Sequence, residues 1–264
     1  MRMCIDTFGK ALLFAYRQHP CQVLPNALWK TLAQEDDFVC TFDVEQGRVT
    51  QLQMQRDNAL MLYWRADRSL PQFSDDVWQR TTFALLHDDF IDAVTPGALP
   101  SREAYFRLQR HTVALPPDCA LPQGFAFVDA QADTEAMHIV DFIAQCYDRI
   151  ALTVDDVRGW SQLPVFVPDL AFWIVDESRG VPAALAVSHF DPRVPEVSLE
   201  WIQVHPAYRG RGLGKALVWA TLRRAQGYAG LVTVSGAVAN DHRPAALYWR
   251  CGFRGDDVWW VLRR

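Results

Sequence analysis

The chain has 264 residues, half of them apolar, with 26 Lys and Arg against 31 Asp and Glu and a formal net charge of -5. That length holds one large core or two modest ones, and no basic tail or block offers a footprint for nucleic acid. No apolar run approaches the roughly 20 residues that cross a bilayer and no leader pattern opens the chain, so the expectation is a soluble, cytoplasmic protein.

In chain order, Ile5 to Gln18 reads as a helix stopped by Pro20, and Phe38 to Val44, Arg48 to Gln55 and Leu60 to Arg65 read as short strands. Ser74-Asp75-Asp76 caps a helix expected to run to about Ala93, and Tyr105 to Leu115 reads as extended. Three prolines and a glycine between Leu115 and Gly124 forbid helix and sheet interior alike. A domain boundary is expected there, with a smaller α+β domain at 1–115 and a second domain at 116–264. The first part shows no constellation of acid, base, nucleophile or metal ligands, and no convincing internal repeat is visible.

Beyond the boundary, strand and helix alternate. A strand at Phe125 to Asp129 precedes a helix from Asp133 to Tyr147 and a second helix opened by Thr153. Strands at Ala171 to Asp176, Ala183 to Phe190 and Val197 to Val204 follow, then a helix from about Gly212 to Tyr228. A strand at Leu231 to Ser235, a helix at Pro244 to Arg250 and a strand at Asp257 to Leu262 complete a mixed α/β sheet flanked by helices.

The stretch Val204-His205-Pro206-Ala207-Tyr208-Arg209-Gly210-Arg211-Gly212-Leu213-Gly214-Lys215 is a strand end followed by a glycine-spaced turn into an amphipathic helix. The first amides of a helix lack partners and its dipole adds partial positive charge, so an anion can be held there by main chain alone. A tight turn alone would also explain the glycines. Arg209, Arg211 and Lys215 tip the balance, because each cation at a helix start costs on the order of 0.3–1 kcal/mol unless something negative sits beside it. The spacing fits neither the dinucleotide fingerprint nor the P-loop.

Arg209-x-x-Gly212-x-Gly214 after a strand, with Asn240 and then Tyr248 ahead of Gly252-Phe253, resembles the two coenzyme-binding segments of the GNAT superfamily of N-acetyltransferases. The resemblance covers roughly Phe125 to the end and implies a mixed, mostly antiparallel twisted sheet flanked by helices. It further implies acetyl-CoA as co-substrate, its pantetheine arm on the backbone of Ile202, Gln203 and Val204. The diphosphate would lie on the amides of Arg209, Gly210, Arg211, Gly212, Leu213, Gly214 and Lys215. Asn240 would hydrogen-bond the arm and Tyr248 would sit near the sulfur. Asn240 stands eight positions before Tyr248, one more than the common pattern, so Asp241 or a shifted loop competes for its place.

An alkyl amine is only about 0.1 % neutral at pH 7, roughly 4 kcal/mol of barrier unless a base or a desolvating pocket removes the proton. Glu200 and Glu196 lie with Ser198 on one face of the strand that leads to Val204, and Glu200 is the preferred base. A bulge would reset which face each residue meets. Tyr248 is the candidate acid for the departing thiolate. His205 reads as loop chemistry. The cysteines Cys4, Cys21, Cys40, Cys119, Cys146 and Cys251 show no metal spacing, and Cys251 reads as a buried small residue rather than a nucleophile. Asp155, Asp156, Asp256 and Asp257 would attract a cationic acceptor or serve as solvated caps. An N-acetyltransferase acting on a small amine or an amino terminus is the leading expectation. An acyl-CoA sensor that binds a partner, or transfer of another acyl group or to a hydroxyl, uses the same cradle.

Overall fold

The computed structural model describes residues 5–112, 120–147 and 150–264. The expected boundary peptide from Leu115 to Cys119 lies outside the described residues, as does Cys4. Two compact units cut across the order of the chain. Met1–Gln109, Ser235–Ala245 and Arg254–Arg264 form the first, and Arg110–Val234 with Ala246–Phe253 forms the second.

In the first unit, α1 (Phe8–Gln18) starts at Thr7, whose side chain accepts the Lys10 amide, and stops before Pro20. Proline is well placed as the first residue of α2 (Pro20–Val23), where no amide is needed. A short α3 (Leu28–Leu32) leads to β1 (Val39–Glu45), β2 (Arg48–Arg56) and β3 (Ala59–Arg65). The long helix expected from Ser74 to Ala93 is not formed. Instead α4 (Asp75–Arg80) gives way to β4 (Phe83–His87) and a 3-10 segment over Asp88–Ala93. Thr81 turns its hydroxyl back onto the Val77 carbonyl at 2.8 Å, and the next residues alternate in burial as a strand does. β5 (Ser101–His111) follows, and the unit's sheet runs β1-β2-β3-β4-β11-β5, where β11 is Arg254–Arg263. Among the described residues, only β3 and β4 run parallel in it.

The second unit opens with β6 (Phe125–Asp129), α5 (Ala136–Cys146) and α6 (Val154–Trp160). At α6, Thr153 and Asp156 close a reciprocal capping box. Then come β7 (Phe166–Asp176), β8 (Val181–Asp191), β9 (Glu196–Val204), α7 (Leu213–Arg224), β10 (Leu231–Ala237) and α8 (Pro244–Arg250). Its sheet order is β10-β9-β8-β7-β6, antiparallel except for β9 beside β10. Ile139, Phe142, Val157 and Trp160 cover one face through Trp173, Leu185 and Val187. Leu213, Ala216 and Leu217 of α7 cover the other through Phe172, Ile174, Ala184 and Ala186.

The two units share an order of elements. In each, three antiparallel strands are followed by a helix and a fourth strand parallel to the third: β1-β2-β3-α4-β4 and β7-β8-β9-α7-β10. A repeat not visible in the residues is therefore present in the succession of elements. The last strand, β11, pairs antiparallel with both β4 and β5 and so belongs to the first unit.

Candidate functional site

The turn between β9 and α7 is built to leave amides open. Gly210 and Gly212 take φ of 77° and 83°, the left-handed region that favours glycine. A Cβ added at either would meet no atom within 4 Å, so space lies over the backbone. Gly212 is the N-cap of α7 and offers no side-chain acceptor to the first amides of the helix. Arg209, Arg211 and Lys215 are exposed around this start. Uncapped amides, the helix dipole and three cations suit a diphosphate.

Gly214 has a different task. A Cβ there would lie 3.2 Å from Leu247 Cδ2, so this glycine lets α8 approach α7. The turn itself is pinned from below. The Tyr208 hydroxyl donates to Asp176 Oδ2 at 3.0 Å, and Ser178 Oγ donates to the other carboxylate oxygen at 2.6 Å. Hydrogen bonds from Ser178 and then Tyr208 hold the Asp176 carboxyl below its ordinary range. Arg209 reaches the Val204 carbonyl at 3.3 Å and the Cys146 carbonyl at 3.4 Å, joining the end of β9 to the C-terminus of α5. Arg211 lies over the Tyr208 ring at 5.1 Å.

Beside the turn, β9 carries the two candidate carboxylates. Val187 pairs with Trp201 and Ser188 with Leu199, which leaves Glu200 as a bulge against β8. The β9–β10 ladder runs only from Glu196 to Leu199, so Ile202, Gln203 and Val204 lie past its end. Glu200 is half-buried and accepts from Ser198 Oγ at 2.8 Å. Glu196 is 1 % exposed and accepts from the Thr233 hydroxyl, so its carboxylate is enclosed within the sheet layer. The two acids are thus separated by environment rather than by face. Trp201 stacks on Trp160 of α6, with ring centroids 5.9 Å apart and an interplanar angle of 27°.

Tyr248 on α8 is buried, and burial, with lesser contributions from Tyr147 and Cys251, pushes its hydroxyl far above the ordinary phenol value. It keeps its proton at neutral pH. Phe253 meets it edge-on with centroids 5.6 Å apart. Cys251 is fully buried and has no exposed face for nucleophilic attack. His205 caps the 3-10 turn Pro206–Tyr208 by accepting the Ala207 amide, and its other ring nitrogen lies 3.0 Å from Gln145 Oε1, which is loop chemistry.

Asn240 falls in the first unit, in the turn ahead of α8, and its Oδ1 accepts the His242 amide at 3.0 Å. Three of the four acidic residues offered as cation attractors have partners of their own. Asp156 closes the α6 cap, Asp155 lies 3.7 Å from Arg158, and Asp257 lies 3.1 Å from His87 in the first unit. The pin through Asp176 gives no signal in sequence spacing, since Tyr208 and Asp176 stand 32 residues apart. Among the described residues no group of His, Cys, Asp and Glu could hold a metal ion, and no helix is long and apolar enough to cross a membrane.

Residues 136–253 match the family model of the acetyltransferase (GNAT) family. No curated protein matches the chain. Among solved structures, a GCN5-related N-acetyltransferase from Sphaerobacter thermophilus is similar at 14 % identity and a TM-score of 0.66, over 97 % of this chain and 91 % of that one. A GNAT-family acetyltransferase from Colwellia psychrerythraea is similar at 12 % identity and 0.60, over 98 % and 97 %. A tandem GNAT protein from the clavulanic acid biosynthesis pathway is similar at 14 % identity and 0.57, over 97 % and 93 %. At such identities the likeness speaks to the fold, and it spans both units.

Proposed function

We propose that this protein, whose residues 136–253 match the GNAT acetyltransferase family model, is an acyltransferase that moves an acetyl group from acetyl-CoA to an amine by direct attack within a ternary complex. The amine belongs to a small molecule or an amino terminus. The observation that carries the reading is the uncapped start of α7 behind Gly210 and Gly212, with Glu200 and Tyr248 in the same unit.

Bound there, the coenzyme supplies an activated thioester. The amides from Gly210 to Lys215 hold its diphosphate, and the edge of β9 at Ile202 to Val204, past the last β10 pairing, hydrogen-bonds its arm. Glu200 takes the proton that an attacking ammonium must lose. Glu196, enclosed with Thr233, is left to the structure of the sheet. Because burial raises the Tyr248 hydroxyl far above a thiol's ordinary value of about 8.5, Tyr248 serves the departing sulfur as a hydrogen-bond donor rather than by full proton transfer.

The test follows release of free thiol from acetyl-CoA over a panel of primary amines, alongside calorimetry with CoA. Tyr248→Phe is expected to lower kcat by about 10- to 100-fold while CoA affinity stays within about twofold. Absence of any heat with CoA on folded protein would overturn the reading, and unchanged turnover in Tyr248→Phe would remove the tyrosine from it.

A further inference from the structure

The turn that leads into α7 contains two left-handed glycines, Gly210 and Gly212. Glycine loses more conformational freedom on ordering than any other residue, so such a turn is held by the side chains at its edge. Arg209 ties it to the Val204 and Cys146 carbonyls, and Tyr208 ties it to β7. Tyr208 is 5 % exposed. Its hydroxyl reaches Asp176 Oδ2 at 3.0 Å, while its ring lies under the Arg211 guanidinium at 5.1 Å.

Asp176 is a fixed point for this tie. It ends β7, in register with Phe125 on β6 and Val181 on β8. Its Oδ1 accepts the Ser178 amide at 3.0 Å, the Ser178 hydroxyl at 2.6 Å and the Arg179 amide at 3.3 Å, which leaves Oδ2 for the phenol. An ionised carboxylate only accepts, so Tyr208 is the donor and its direction is set.

We propose that Tyr208 is a positioning residue for the coenzyme, joining the glycine turn to β7 so that the amides from Gly210 to Lys215 are arranged for the diphosphate before it arrives. The inference rests on the reading of this turn as the diphosphate cradle. A turn ordered in advance spares the ligand the entropy of ordering it, and the saving is read as affinity.

Calorimetry with CoA on the natural protein, Tyr208→Phe and Ser178→Ala is the test. Tyr208→Phe keeps the ring and its edge-on contacts with Phe125 and His205, and loses only the tie to Asp176. Its dissociation constant for CoA is expected to rise by about tenfold. At saturating acetyl-CoA, with whichever panel amine releases thiol fastest, kcat should stay within about twofold. Ser178→Ala removes a donor from the other oxygen of the same carboxylate and should leave the dissociation constant unmoved, which general damage to the end of β7 would not. Nitrogen-15 relaxation of the Gly210 and Gly212 amides in coenzyme-free protein should show larger motion in Tyr208→Phe and the natural amplitude in Ser178→Ala. An unmoved dissociation constant in Tyr208→Phe, or an equal rise in Ser178→Ala, overturns the positioning role. No heat from CoA with the natural folded protein overturns instead the cradle on which the inference rests.

Discussion

Gly212 and Gly214 look interchangeable in the sequence, yet they constrain the protein in different ways. At φ of 83° Gly212 sits where alanine is disfavoured by about 1 kcal/mol, and the space above it is open. Gly212→Ala should therefore weaken CoA binding with a small loss of stability, read by calorimetry and thermal unfolding. Gly214 faces Leu247 at 3.2 Å from its missing Cβ, one residue before Tyr248. Gly214→Ala should push α8 away and lower kcat more than CoA affinity. The reverse ranking would show that the two positions have been assigned the wrong way round. The glycine spacing was legible because it falls within five residues beside a helix start. The pin from Tyr208 to Asp176 was not, since it joins β7 to a turn 32 residues later.

At the scale of elements, α4 and α7 occupy equal places in their units and have opposite starts. The stretch from Ala66 to Ser74 ahead of α4 contains no glycine, and Asp75 and Asp76 fill the first turn of the helix. Carboxylates there satisfy the dipole that α7 leaves for a ligand. Tyr63 of β3 packs edge-on against Phe73 and Phe90, with centroids 5.6 and 5.1 Å apart, where the pairing of β3 with β4 has ended. Calorimetry should accordingly find about one CoA per chain, and a second equivalent of similar affinity would refute this account of α4. Sequence periodicity found β1, β2 and β3 but ran α4 through to Ala93, because the acidic cap signals where a helix begins and not where it ends. Its end is set by Thr81 bonding back onto Val77 and by β4 finding β11, a partner 170 residues further along between His87 and Asp257.

For the whole molecule, the strands other than β4 were readable and their partners were not. A short run rich in Val and Trp marks residues 257–262 as a strand wherever they pair, and pairing across the length of a chain leaves no local trace. In the structure β11 lies between β4 and β5 and buries Trp259 and Leu262. Deleting residues 254–264 should leave β4 and β5 without the strand between them and abolish the cooperative unfolding of the first unit, measured by circular dichroism and hydrogen exchange. A deletion variant that unfolds like the full chain would show that β11 is dispensable.

That placement of β11 also sets an order of events during synthesis. Domains usually mature from the amino end as the ribosome proceeds. Here the sheet that holds β1 to β5 must wait, missing an interior member, until β11 emerges after β6 to β10 have been made. Newly made chains should thus carry an unfinished first unit until β11 is made.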